Sequence, residues 1–208
     1  MADARLTEIA ARFARETAQH QMTVLHDDGL YRHLRFEGTT DSPFARYPFD
    51  LITWPYNLVV KAGWTFHFDI DATPDMFDLF RNTAFSGEIN PGYWSEKVRA
   101  GRDEIEGFDP ELFEQQVKGY VAHSIRDGEA PRGIGREVTF EIFEMGDISH
   151  EVGARAALAD FRYDGWDFGD LPEWDFSDYT PGFLHSCHAI RHGVDLWDAA
   201  RKAAEVAA

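Results

Sequence analysis

Between Trp64 and Ile70 the chain alternates large apolar side chains, Trp64, Phe66, Phe68 and Ile70, with Thr65, His67 and Asp69. Successive side chains of a strand point to opposite faces, so this two-residue period predicts a strand with one buried face. The stretches FDLITW (49–54) and LVVK (58–61) are dense in β-branched and aromatic residues, and only Pro55, Tyr56 and Asn57 separate them. That spacing predicts two strands joined by a compact turn. Upstream, Val24 and Leu25 lead into HDDGLYRHLRF (26–36), where Asp27, Asp28 and Gly29 are turn formers and mark the entry to a hairpin. Links this short cannot carry parallel crossovers, so the strands should form an antiparallel meander of three or four.

Helical patterning flanks this region. Residues 2–20 place Leu6, Ile9, Ala10 and Phe13 on one stripe and predict an amphipathic helix. Downstream, Thr73 with Pro74 opens PDMFDLFRNT, and Asn90 with Pro91 opens PGYWSEKVRAG, a helix expected to end at Gly101. After a polar linker at 101–109, Asp109 and Pro110 start a third helix, in which Leu112, Phe113, Val117, Tyr120, Val121 and Ile125 recur at helical spacing up to Gly128. Residues 129–135 (EAPRGIG) break the pattern and form a candidate hinge. The alternation of Val138, Phe140 and Ile142 predicts a further strand, SHEVGARAALADF (149–161) a helix, and 183–202 a long closing helix. The expected fold class is α+β: an N-terminal antiparallel meander packed by several helices and closed by the last. Residues 1–21 are expected to form a helical extension and residues 22–208 a single domain.

Charge narrows the functional classes. The 208 residues carry 20 Lys and Arg against 37 Asp and Glu, a net −17, with a pI near 4.8. The long-range field repels phosphate backbones and anionic lipids and attracts basic proteins. Non-specific nucleic-acid binding draws its affinity from cations neutralising phosphates, so it is not expected here. No stretch reaches the roughly 18 consecutive apolar residues of a membrane span, and the N-terminus lacks a secretory apolar run, so the expected location is the cytoplasm. The lone Cys187 excludes an intrachain disulfide and a multi-cysteine zinc site.

Three stretches hold candidate chemistry. Residues 163–180 (YDGWDFGDLPEWDFSDYT) interleave acids with rings and contain no base. Trp166, Asp167, Asp170, Glu173, Trp174, Asp175 and Asp178 therefore form the candidate partner-binding set: carboxylates to attract a basic partner or imitate a nucleic-acid surface, rings to supply contact area. The plainer reading is that the rings anchor a surface loop and the acids face water. In FLHSCHAIRHGVDLW (183–197), His185, His188 and His192 fall on one helical face, a spacing that suits a transition metal. Yet Ala189 stands where a metalloprotease helix has glutamate, and such a seam is more often structural. Finally, His26, Asp27 and Asp28 offer a catalytic alternative in which two carboxylates hold Mg²⁺ beside a histidine base. Against it, adjacent strand residues point to opposite faces and turn aspartates cap backbone.

Taken in order, MTVLHDDGLYRHLRF (22–36), FDLITWP (49–55), DMFDLF (75–80), INPGYWSEKVRA (89–100) and WDFSDYTPGFLHSCHAIRHGVDLWD (174–198) resemble a widespread family of phage and prophage proteins. The resemblance spans residues 22–198. It implies a bacteriophage or prophage origin and an accessory role in the cytoplasm of a bacterial host, and it carries over no activity and no catalytic residue. Members tend to begin near the position of Met22, so residues 1–21 look like an extension. They also tend to have bulky aromatic or apolar residues at the positions of His185 and His188, which weighs against a shared metal site.

The expectation is thus an accessory protein without catalysis or cofactor of its own. It would bind a basic or nucleic-acid-binding protein of host or phage and redirect or inhibit it, as an anti-defence protein does. The alternatives are a metal-dependent hydrolase or phosphodiesterase built on the His and Asp residues above, and a virion assembly component.

Overall fold

A computed structural model describes residues 2–38, 47–81, 89–169 and 174–207. Its contacts divide the chain at 106/107 and 178/179 into two compact units, one formed by Met1–Glu106 with Tyr179–Ala208 and the other by Gly107–Asp178. The division does not fall at residue 21, because Phe13 is buried in the core of the first unit.

In the first unit six antiparallel strands run in sequence order across one sheet: β1 (His20–Asp28), β2 (Tyr31–Gly38), β3 (Phe49–Trp54), β4 (Asn57–Lys61), β5 (Thr65–Asp69) and β6 (Val98–Ala100). The meander is larger than the sequence predicts. Its first hairpin turns at Gly29, and β1 begins at His20, where a helix was expected to continue. The predicted helix over 91–101 is confined to α3 (Pro91–Ser95), and Val98 then pairs with Phe68 as part of β6. A sixth strand covers the open backbone edge of β5, a gain that local propensity does not register.

The period-2 pattern decides which sheet face is buried. Leu34 pairs with Leu51, Phe36 with Phe49, Leu51 with Val60 and Leu58 with Phe68, and each of these side chains is buried. Over this face lies α7 (Pro181–Ala207), with α1 (Ala2–Thr17) and α2 (Met76–Arg81) packed against α7. Helix and sheet approach closely at Gly193, where an added Cβ would lie 2.5 Å from Leu51 and 3.0 Å from Phe36. The buried Arg32 of β2 donates to both oxygens of Asp75, at 2.8 and 3.0 Å, and its guanidinium lies over the rings of Phe77 and Trp197.

The second unit is helical. Asp109 caps α4 (Pro110–Arg126) by accepting from the N–H groups of Glu111 and Leu112. Residues predicted as a strand at 136–146 form α5 (Ile134–Val138) and a π-helical turn, Thr139–Glu144. The alternation was misleading because Ile134, Val138 and Ile142 also recur every fourth residue. Those three are buried as one helical stripe, and Phe140 faces solvent. They pack with Phe113, Val117 and Val121 of α4, with Ala154 and Leu158 of α6 (Glu151–Asp160), and with Phe161, Phe168 and Phe176. Two short strands, β7 (Glu106–Phe108) and β8 (Ser177–Tyr179), pair with each other. No helix among the described residues is long and apolar enough to cross a membrane.

Candidate functional site

The first candidate set, His26, Asp27 and Asp28, lies on β1 beside the hairpin turn. His26 stands across from His33, Asp27 from Arg32 and Asp28 from Tyr31, so the two carboxylates leave the strand on opposite faces. Asp27 lies 4.0 Å from Arg201 on α7. A metal held by both acids would need them to converge, and the strand geometry keeps them apart.

The histidines of α7 share one face, as their spacing requires, and that face is covered by α1. Phe13 sits among them, with ring centres 5.0 Å from His185, 5.8 Å from His188 and 5.7 Å from His192. The imidazoles surround a phenylalanine rather than a common point, and no group of three or more His, Cys, Asp or Glu among the described residues is arranged to hold a metal ion. Nδ1 of His185 and Nε2 of His188 and His192 are buried without a hydrogen-bond partner among the described residues. Burial disfavours the charged imidazole: it pushes His188 down to about 4, assisted by the charge of His185. It also lowers His185 and His192, against opposing pulls from Glu16 and Asp195 respectively.

In the acidic aromatic segment the rings turn inward. Phe168 and Phe176 are buried, and Trp166 and Trp174 pack around Tyr120, with ring centres 5.9 and 5.1 Å from it. The acids shape the backbone. Asp167 accepts from the N–H of Gly169, and Asp175 accepts from the N–H and hydroxyl of Ser177, bonds that hold Asp175 below the usual carboxylate range. Asp178 is half-buried on β8, and Asp170 and Glu173 lie outside the described residues. The two tryptophans expected to contact a partner are thus partly buried against this unit's core.

A different acidic surface emerges along residues 137–160. Glu141, Glu144, Asp147, Glu151 and Asp160 are exposed, and among them Phe140, Met145 and Val152 are 50, 70 and 75% exposed. Glu141, Asp147 and Asp160 also line a shallow groove of about 370 Å³, floored by Gly146, Gly153, Ala156, Ala157 and Phe161. Hydrogen bonds from the hydroxyl and N–H of Ser149 hold Asp147 below its ordinary pKa, so it carries full charge at neutral pH. The sequence signal existed in EIFEMGD, where acids alternate with Ile142, Phe143 and Met145. It was obscured because a strand over these residues would have turned Phe140 inward.

Comparison of the chain with protein-family models, curated proteins and solved structures finds no match.

Proposed function

We propose that this protein acts without catalysis, as an acidic accessory protein of phage or prophage origin. It binds a basic or nucleic-acid-binding protein of the host or phage through the second unit and thereby redirects or inhibits it. The observation carrying the reading is the concentration of charge. Residues 107–178 hold 17 acidic residues against 6 basic ones, a net −11, although the unit is only about a third of the chain. Three of those bases are spent within the unit, Lys118 on Glu114, Arg155 on Glu151 and Arg162 on Asp167.

Such a surface steers a cationic partner from a distance, and an ion pair at its rim is worth little until it is desolvated. The 137–160 face supplies both requirements, because Phe140, Met145 and Val152, exposed here, would exclude water from beside the carboxylates once a partner covers them. The groove suits a lysine or arginine side chain: its methylenes would cover Ala156, Ala157 and Phe161, and its head would reach Glu141, Asp147 or Asp160. The contact surface proposed for the basic partner is therefore 137–160 rather than 166–178.

Affinity capture from host lysate with wild-type protein, beside the charge-reversed E141K/D147K/D160K variant, tests it. A stoichiometric partner of high pI, retained at physiological salt by wild type and lost by the variant, is the expected result. No partner at low salt, or equal retention by the variant, would overturn it.

A further inference from the structure

The seam between α1 and α7 combines features that an ordinary helix contact lacks. Phe13 is its buried anchor, with Leu6 and Ile9 partly buried beside it, and three imidazoles of α7 form the seat. A neutral imidazole accepts an aromatic neighbour at low cost. An imidazolium buried against Phe13 loses its hydration and gains no compensating hydrogen bond at the buried nitrogens.

The charged and titratable groups facing the seat come from each element packed on it. From α1 these are Arg12 and Glu16, from β1 His20, and from α7 itself Asp195. From β3 the seat receives the apolar Phe49, and Trp64 lies against His185. Both carboxylates are already committed to arginines, Glu16 to Arg12 at 2.8 Å and Asp195 to Arg191 at 3.0 Å. Glu16 lies 3.7 Å from His185, close enough to favour its charge, but Arg12 opposes it from the same helix. Among the described residues, the charge that acts on His188 is that of His185.

We propose that α1 is an acid-released clasp: its docking depends on uncharged His185, His188 and His192, and their protonation frees the helix while the sheet beneath α7 stays folded. The sign follows from linkage. The undocked helix leaves the imidazoles in water near their ordinary value of about 6.5, so the undocked state binds more protons below that pH. Docking is complete above about 6.5 and weakens as pH falls toward about 4, the value for docked His188. The device is local because these three imidazoles line this seam, whereas Leu34, Phe66 and Phe68 of the sheet are fully buried in the apolar core and the buried Arg32 beside them is held by Asp75. Release would uncover Phe49 and the histidine face of α7.

Hydrogen–deuterium exchange of the full chain at pH 7.5 and 5.0, corrected for the intrinsic pH dependence of exchange, decides the matter. Protection of residues 2–17 should fall by about 30-fold at pH 5.0 from His188 alone, with β2 to β5 still protected. The H188Q/H192Q variant should show a much flatter response, and F13A should expose α1 at both pH values. Unchanged α1 protection at pH 5.0, loss of protection in α1 and β2 to β5 together, or an undiminished pH response in H188Q/H192Q would overturn the proposal. So would α1 still protected in F13A at pH 7.5, a result that keeps the test decisive if the glutamine variant does not fold.

Discussion

Arg32 and Asp75 lie 43 residues apart in sequence and meet in a two-bonded ion pair, at 2.8 and 3.0 Å, that ties the sheet to the start of α2. Burial pushes the Asp75 carboxyl upward. The hydrogen bonds from Arg32 and the Phe77 N–H, with the charges of Arg32 and Arg81, outweigh it and hold the group below the usual range. Removing one member strands the other, so D75N should lower stability at pH 7 by about 2 kcal/mol, less than a fully buried pair would cost because solvent reaches part of the site. A depressed carboxylate stabilises above its unfolded value of about 3.9, and that contribution fades as pH falls through its folded value. Urea unfolding should therefore show wild type and D75N converging as pH is lowered below 4. A constant gap would contradict the ionic account.

Two glycines test the packing in opposite directions. Gly193 lies where α7 comes closest to Leu51 and Phe36, whereas Gly119, on α4, would meet nothing within 4 Å. G193A should cost about 1 to 3 kcal/mol, because overpacking exceeds the roughly 1 kcal/mol gained in helix propensity. G119A should stabilise by about 0.5 to 1 kcal/mol through the unfolded chain alone. Thermal unfolding of both variants gives the answer, and a stabilising G193A would mean the sheet yields at that point.

Trp174 separates core from contact. Its ring packs edge-on to Tyr120 and lies 5.9 Å from Phe176. W174A should destabilise the second unit by about 2 to 4 kcal/mol. Partner capture by the fraction still folded should persist, whereas E141K/D147K/D160K should lose capture with its unfolding midpoint little changed. The reverse pattern would restore the contact surface to residues 166–178.

Cys187 is fully buried on α7, and burial pushes its thiol far above the usual range. The thiolate is the reactive species, so a disulfide reagent such as Ellman's should leave native protein unlabelled at pH 8. Labelling should become stoichiometric in denaturant, with its midpoint tracking loss of the sheet. Rapid labelling of native protein would show that α7 opens without global unfolding.

The fold was most legible where burial is one-sided. Phe66 and Phe68 alternate with Thr65 and His67 because the sheet has one covered face, and that asymmetry is written directly into the chain. At 134–142 two periods coincide on Ile134, Val138 and Ile142, and only packing against α4 decides between strand and helix. The histidine face of α7 was legible as a face, but what occupies it was not, since Phe13 lies more than 170 residues upstream. Likewise the acids of 163–178 revealed the charge of their unit, whereas the inward turn of Trp166 and Trp174 depends on Tyr120, far from them in sequence.

The closing position of α7 sets an order on biosynthesis. The sheet strands have all been translated by residue 100, yet the helix that covers Leu34, Phe36, Leu51 and Val60 begins at Pro181. At about 5 to 20 residues per second, the second unit is translated over several seconds while that apolar face awaits its cover. The nascent chain is then a natural client for chaperones. Premature termination within residues 107–180 should yield an aggregation-prone fragment, because the helix that completes the first unit is made only after the second unit.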